Sequence, residues 1–176
     1  LPALATSYSP SAFCSAASVV EVDASINQLT TLDVSHATDL TLLNVSGNKL
    51  ASLNVSQNKS LTVLHANDNQ LVTLDVTKLL LLEELSCGGN NLSTLNLTKN
   101  AVLTALDCHG NTLTTLDLTK NIALVALDCG ENSLTAIYLG TNKLESLDCA
   151  YNALTGINVA TQTKLGTLAC SHNALI

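Results

Sequence analysis

The sequence predicts a mainly β, right-handed solenoid of about eight stacked turns, with short parallel strands on two faces and helix allowed only in an N-terminal cap. Three observations predict it. A unit of about 21 residues recurs from Val19 onward in a chain of 176 residues. Each unit holds two short segments in which apolar and polar residues alternate, the period of a half-buried strand. The apolar content is mostly Leu and Ala, with one Phe, three Tyr, no Trp and no Met, so no aromatic cluster can anchor a globular core.

The first half of a unit reads L-x-x-L-x-C-x-x-N-x-L, as in Leu103-Thr-Ala-Leu106-Asp-Cys108-His-Gly-Asn111-Thr-Leu113. Its strand slot holds Val22, Leu43, Leu64, Leu85, Leu106, Leu127, Leu147 and Leu168. The slot two residues on holds Ala24, Val45, Ala66, Cys87, Cys108, Cys129, Cys149 and Cys170. Residues two apart on a strand share a face, so both slots point inward. The second half reads L-x-x-L-D-L-T-K-N, as in Leu113-Thr-Thr-Leu116-Asp-Leu118-Thr-Lys-Asn121, and its inward pairs run from Leu32/Val34 through Leu53/Val55, Leu74/Val76, Leu95/Leu97, Leu116/Leu118 and Ile137/Leu139 to Ile157/Val159. A unit with two inward strands cannot bury its leucines alone, so successive units must stack. At about 4.8 Å per strand, eight turns make a rod on the order of 40 Å long.

Asn27, Asn48, Asn69, Asn90, Asn111, Asn132, Asn152 and Asn173 fill one slot in every unit. A carboxamide offers two donors and an acceptor, and can satisfy backbone groups that lose their ladder partners where the chain turns inward. The column reads as structural.

The repeated L-x-x-L-x-L/C-x-x-N-x-L segment resembles the leucine-rich-repeat superfamily, and the 21-residue unit with a nested second half resembles its bacterial subclass of IRREKO repeats, over about nine-tenths of the chain. The resemblance implies a protein-binding or adhesive scaffold of a secreted or surface protein. It does not name the partner, because a fold hosts many functions. The sequence departs from the family pattern at its ends, where no disulfide-bonded caps are recognisable.

Composition excludes several classes. There is no Arg and the net charge is −7, against the clustered bases that phosphate recognition needs, so no nucleic-acid partner is expected. No apolar run approaches the roughly 18 residues that cross a bilayer, so no membrane insertion is expected. Leu1–Ser18 has neither a basic start nor a long apolar core, and fits at most the segment that follows a removed secretory signal.

The cysteine column lacks a C-x-x-C pair and runs in a line, which tetrahedral zinc cannot use. Thiols in register would have Cβ atoms near 4.8 Å apart, beyond the roughly 3.8 Å of a disulfide, so free buried thiols acting as small hydrophobes are expected. Asp107-Cys108-His109 has the composition of a nucleophilic site, but alternation sends Cys108 inward and its neighbours outward, and neither G-x-S-x-G nor H-E-x-x-H is present. The expectation is no enzyme and no cofactor. Asp107, Asp128 and Asp148 stack on consecutive turns and are a weak candidate for a cation such as calcium, set against a solvated column.

Two surfaces are candidate binding sites. For a protein or surface ligand, the anchors expected are Tyr138 and Tyr151 on an extended strand face. The alternative is ice, through the hydroxyl ranks Thr31, Ser52, Thr73, Thr94, Thr115 and Ser35, Ser56, Thr77, Thr98, Thr119, which flank the file Asp33, Asn54, Asp75, Asn96, Asp117, Tyr138, Asn158. Finally, a stack must cover its end layers. Leu1–Ser18 reads as a degenerate capping turn with Phe13 plugging the first layer beside Cys14, and Val19–Ile176 as the solenoid. The last leucines are expected to be covered by further chain or by end-to-end contact with another copy.

Overall fold

A computed structural model describes residues 18–176 of the chain, so the capping turn expected over Leu1–Ser18, with Phe13 and Cys14, lies outside the described residues apart from Ser18. Eight strands pair in parallel in one sheet: β1 (Glu21–Asp23), β2 (Leu42–Asn44), β3 (Val63–His65), β4 (Glu84–Ser86), β5 (Ala105–Asp107), β7 (Ala126–Asp128), β9 (Ser146–Asp148) and β10 (Thr167–Ala169). On the second face β6 (Thr115–Asp117) pairs with β8 (Ala136–Tyr138). The chain is thus a β-solenoid of about seven turns, each closing back on the sheet after about 21 residues, and no described helix is long and apolar enough to cross a membrane.

Each strand is three residues long because the inward stripe is that short. In every strand from β1 to β7 the central leucine or valine is buried between two outward residues. The slot two residues beyond the first-half leucine is filled by Ala24, Val45, Ala66, Cys87, Cys108, Cys129 and Cys149, all in the buried core. On the second face Val34, Val55, Val76 and Leu97 are equally buried, yet a ladder forms only between β6 and β8. Side chains organise the rest of that face.

Three side-chain devices bend each turn. First, Asp or Asn at the outward end of a strand accepts the backbone N–H two residues later, as in Asp23 to Ser25, Asp107 to His109, Asp128 to Gly130 and Asp148 to Ala150. The second face repeats it with Asp33, Asn54, Asp75, Asn96, Asp117 and Asn158. Either residue suits this turn, because only its side-chain oxygen is used. Where the slot holds Tyr138 the cap is lost, and Gly140 follows with φ +66°, its α-carbon so close to Thr119 that a Cβ would stand 2.8 Å from the Thr119 Cα.

Second, a left-handed residue recurs in every turn beside the eight-stranded sheet: Ile26, Gly47, Asp68, Gly89, Gly110, Glu131, Tyr151 and His172, each immediately before the repeated asparagine. Third, that asparagine ties the turns together. Asn111 accepts the Leu92 N–H and donates to the carbonyls of Cys87 and Cys108, one turn apart. A second interior column, Ala37, Asn58, Leu79, Asn100, Asn121, Asn142 and Gln162, lies on the other side of the core, and all of its members are buried. Here Asn58, Asn100 and Asn121 donate across turns but their side-chain oxygens find no partner, and Asn142 has neither atom bonded.

Candidate binding face

The outer face of the eight-stranded sheet changes character along the stack. Its first outward position runs Glu21, Leu42, Val63, Glu84, Ala105, Ala126, Ser146, Thr167, and its second runs Asp23, Asn44, His65, Ser86, Asp107, Asp128, Asp148, Ala169. From β5 to β9 the first position shrinks to Ala, Ala and Ser while the second is three aspartates in register. The result is a shallow groove of about 350 Å³ with a floor of small side chains and a rim of carboxylates.

At the end of that rim the chain bends, and an adjoining recess of about 140 Å³ is lined by His109, Asp128, Gly130, Glu131, Asp148, Ala150 and Tyr151. His109 Nδ1 lies 2.7 Å from Asp107 Oδ1. Its ring sits where Gly88 leaves space, since a Cβ there would meet His109 Nδ1 at 2.3 Å. The hydrogen bond to Asp107 raises the His109 pKa against a smaller opposing effect of burial. Burial likewise raises the Asp128 pKa, opposed by the Gly130 N–H and reinforced by Asp107 and Asp148. A second histidine–carboxylate contact on the same face joins His65 Nε2 to Glu84 Oε1 at 3.0 Å.

Asp107, His109 and Asp128 each bring a ligand atom within 4.8 Å of the others. His109 thus joins a cluster that sequence reading confined to Asp107, Asp128 and Asp148. The signal for it was there: on a chain leaving a strand, residues 107 and 109 both face out. The aspartates also have a structural task as turn caps, which accounts for their stacking without a cation.

The two expected tyrosine anchors are separated. Tyr138 is 55% exposed on β8 of the second face, whereas Tyr151, 53% exposed, follows β9 at the recess beside the eight-stranded sheet. Tyr151 stacks on His172 with ring centroids 4.0 Å apart. Both are left-handed residues, which puts an aromatic pair in a backbone conformation that costs about 1–2 kcal/mol per residue.

The hydroxyl ranks also divide. Thr31, Ser52, Thr73, Thr94 and Thr115 are exposed, but Ser35, Ser56, Thr77, Thr98 and Thr119 lie in turns. There the Thr77 and Thr98 hydroxyls donate to Asp75 and Asn96 at 2.7 and 2.8 Å.

The thiols are interior. Cys87, Cys108, Cys129 and Cys149 are buried and unpaired, and Cys170 is half-buried. Burial pushes Cys87 up to about 12 and Cys149 to about 11, and raises Cys108 and Cys129 as well. Among the described residues, Cys108 next to His109 in sequence is buried with its pKa raised, away from the thiolate form.

No family model matches the chain, and no curated protein sequence does. Solved structures do. The functional domain of InlJ from Listeria monocytogenes, described as including a cysteine ladder, is 37% identical over 89% of this chain with a TM-score of 0.72. A leucine-rich-repeat protein of Leptospira interrogans is 26% identical over 90% of this chain with a TM-score of 0.83. The ectodomain of the plant membrane receptor kinase GASSHO1/SCHENGEN3 from Arabidopsis thaliana, in complex with CASPARIAN STRIP INTEGRITY FACTOR 2, is 25% identical over 88% of this chain with a TM-score of 0.63. The chain spans 40%, 44% and 24% of the lengths of these three.

Proposed function

We propose that this chain, a leucine-rich-repeat solenoid with a turn of about 21 residues, is a non-catalytic binding module, secreted or held at a bacterial cell surface, that meets a protein or surface ligand through the outer face of its eight-stranded sheet. The observation that carries this reading is the groove over Ala105, Ala126 and Ser146 with its rim of Asp107, Asp128 and Asp148. The face is fixed by cross-turn hydrogen bonds in every repeat, so docking demands little ordering from it. Large outward residues at Leu42 and Val63 give way to small ones at Ala105 and Ala126, which leaves room for a partner's side chains where the polar rim can orient them.

The bacterial relatives support the source and the receptor ectodomain with its bound factor supports both a surface setting and a protein partner. The buried thiols, pushed away from their ionised form, support a role without nucleophilic chemistry.

A displayed library of random peptides, selected on the wild-type protein, tests the reading. Clones would be counter-selected on Ala105→Leu/Ala126→Leu, which fills the groove with the side chain that slot already carries at Leu42. The expected result is a set of clones that lose binding to this variant and keep it on Thr94→Tyr/Thr115→Tyr, altered on the second face. Clones that bind both variants equally, or depend on the second face, would overturn it.

A further inference from the structure

We propose that the groove of the eight-stranded sheet receives lysine or arginine side chains from a basic segment of the partner, an inference that rests on that face being the binding surface. Charge is segregated around the solenoid. The outward positions of the eight strands carry six carboxylates, Glu21, Asp23, Glu84, Asp107, Asp128 and Asp148, and no lysine. All seven lysines of the chain lie off the strands, and Lys78, Lys99 and Lys120 stack one per turn beside the second face. The face therefore presents one sign of charge to an approaching partner, which steers and orients a cationic one and repels an anionic one.

Shape and charge coincide at one place. A lysine or arginine has an apolar stem and a charged head, and favours a surface that covers the first while leaving the second at a polar edge. The floor of Ala105, Ala126 and Ser146 suits the stem. Asp107, Asp128 and Asp148 stand beside it in register on successive turns, hence about 4.8 Å apart, close enough to repel one another until a cation lies between them. His109 occupies Asp107, whereas no described basic side chain pairs with Asp128 or Asp148.

The approach to these two is open. A Cβ at Gly130 would sit 3.4 Å from an oxygen of each, and the residue there has none. The adjoining recess adds Glu131 and the exposed ring of Tyr151, held from one side by His172. A guanidinium entering it would meet carboxylates and an aromatic ring together, the surroundings that favour arginine.

The test uses a short synthetic peptide of alternating lysine and serine and its fully Nε-acetylated counterpart, titrated by fluorescence anisotropy at moderate salt. Two triple variants remove the same number of charges: Asp107→Asn/Asp128→Asn/Asp148→Asn on the sheet, and Asp33→Asn/Asp75→Asn/Asp117→Asn on the second face. Asparagine keeps the turn-capping oxygen, as Asn44, Asn54 and Asn96 do, so both variants retain the fold. The sheet variant should weaken the lysine peptide by about tenfold or more, and the second-face variant by no more than about twofold, with the acetylated peptide bound no better than to the sheet variant. Equal losses from the two variants would reduce the effect to net charge and overturn the proposal. So would an absence of saturable binding by the lysine peptide. Undiminished binding of the acetylated peptide, lost in Ala105→Leu/Ala126→Leu, would overturn the cationic inference while leaving the groove as the binding surface.

Discussion

Asn111 Oδ1 accepts the Leu92 backbone N–H at 2.9 Å from the preceding turn, nineteen residues earlier in the chain. The same amide donates to Cys87 and Cys108 at 3.0 and 3.1 Å. Asn111→Ala orphans the buried Leu92 N–H, while the Cys87 and Cys108 carbonyls each keep one donor, in Asn90 and Asn132, and is expected to cost about 1–3 kcal/mol. Asn142, on the opposite side of the core, bonds to nothing through its side chain, and the same slot holds Leu79 elsewhere. Asn142→Leu is therefore expected to be neutral or to stabilise by about 1 kcal/mol. Denaturant melts of both variants check the pair.

The leucine slots, the cysteine column and the first asparagine column could be read in the sequence because each repeats without interruption and has one physical explanation. The second buried column could not be separated from its surroundings. Its slot alternates Ala37, Asn58, Leu79 and Asn100, and a mixture of polar and apolar residues reads as surface. The pairing of His109 with Asp107 depends on Gly88 and occurs in one turn only, so no periodicity announces it. The tyrosines stood out as rare residues, but rarity carries no information on which face they occupy.

The left-handed column makes a sharper prediction. Ile26 is β-branched, has φ 52° and is 86% exposed, so its side chain offers little packing to offset the strain. Ile26→Asn should raise stability by about 1 kcal/mol, because asparagine tolerates this conformation. Gly140→Ala should lower it by about 2 kcal/mol or more, since strain adds to the contact with the Thr119 backbone. Thermal melting would read both shifts, and opposite signs would refute the assignment.

Acidification should favour the fold through two neighbours, each with a raised pKa. The His109 pKa is raised by Asp107, so its stabilisation is present below the ordinary histidine value and is lost as the pH rises through the folded value. His109→Gln should therefore cost more at pH 6 than at pH 9, by less than about 1 kcal/mol for a partly exposed pair. The Asp128 pKa is also raised, mainly by burial. Its ionised form is disfavoured by the fold at neutral pH, so Asp128→Asn should stabilise at pH 7, and the gain should vanish in acid where the wild-type carboxyl is protonated. Melting curves across this range provide the comparison.

The thiol column predicts an order of modification. Cys170 is half-buried, while Cys87, Cys108 and Cys129 are buried with raised pKa values. Alkylation of the native protein, followed by peptide mapping, should label Cys170 before these three, which react only at the rate of unfolding. Cys108→Val should cost less than about 1.5 kcal/mol, because Val45 already fills that slot and the thiol acts by volume.

The central claim is that the outer face of the eight-stranded sheet carries the binding function. Carboxyl footprinting tests it most directly, with a carbodiimide and an amine label applied to the protein alone and saturated with a selected partner. Asp107, Asp128 and Asp148 should lose labelling in the complex while Asp33, Asp75 and Asp117 stay as reactive as before. Protection confined to Asp33, Asp75 and Asp117, with the sheet aspartates still labelled, would place the partner on the second face and contradict the account.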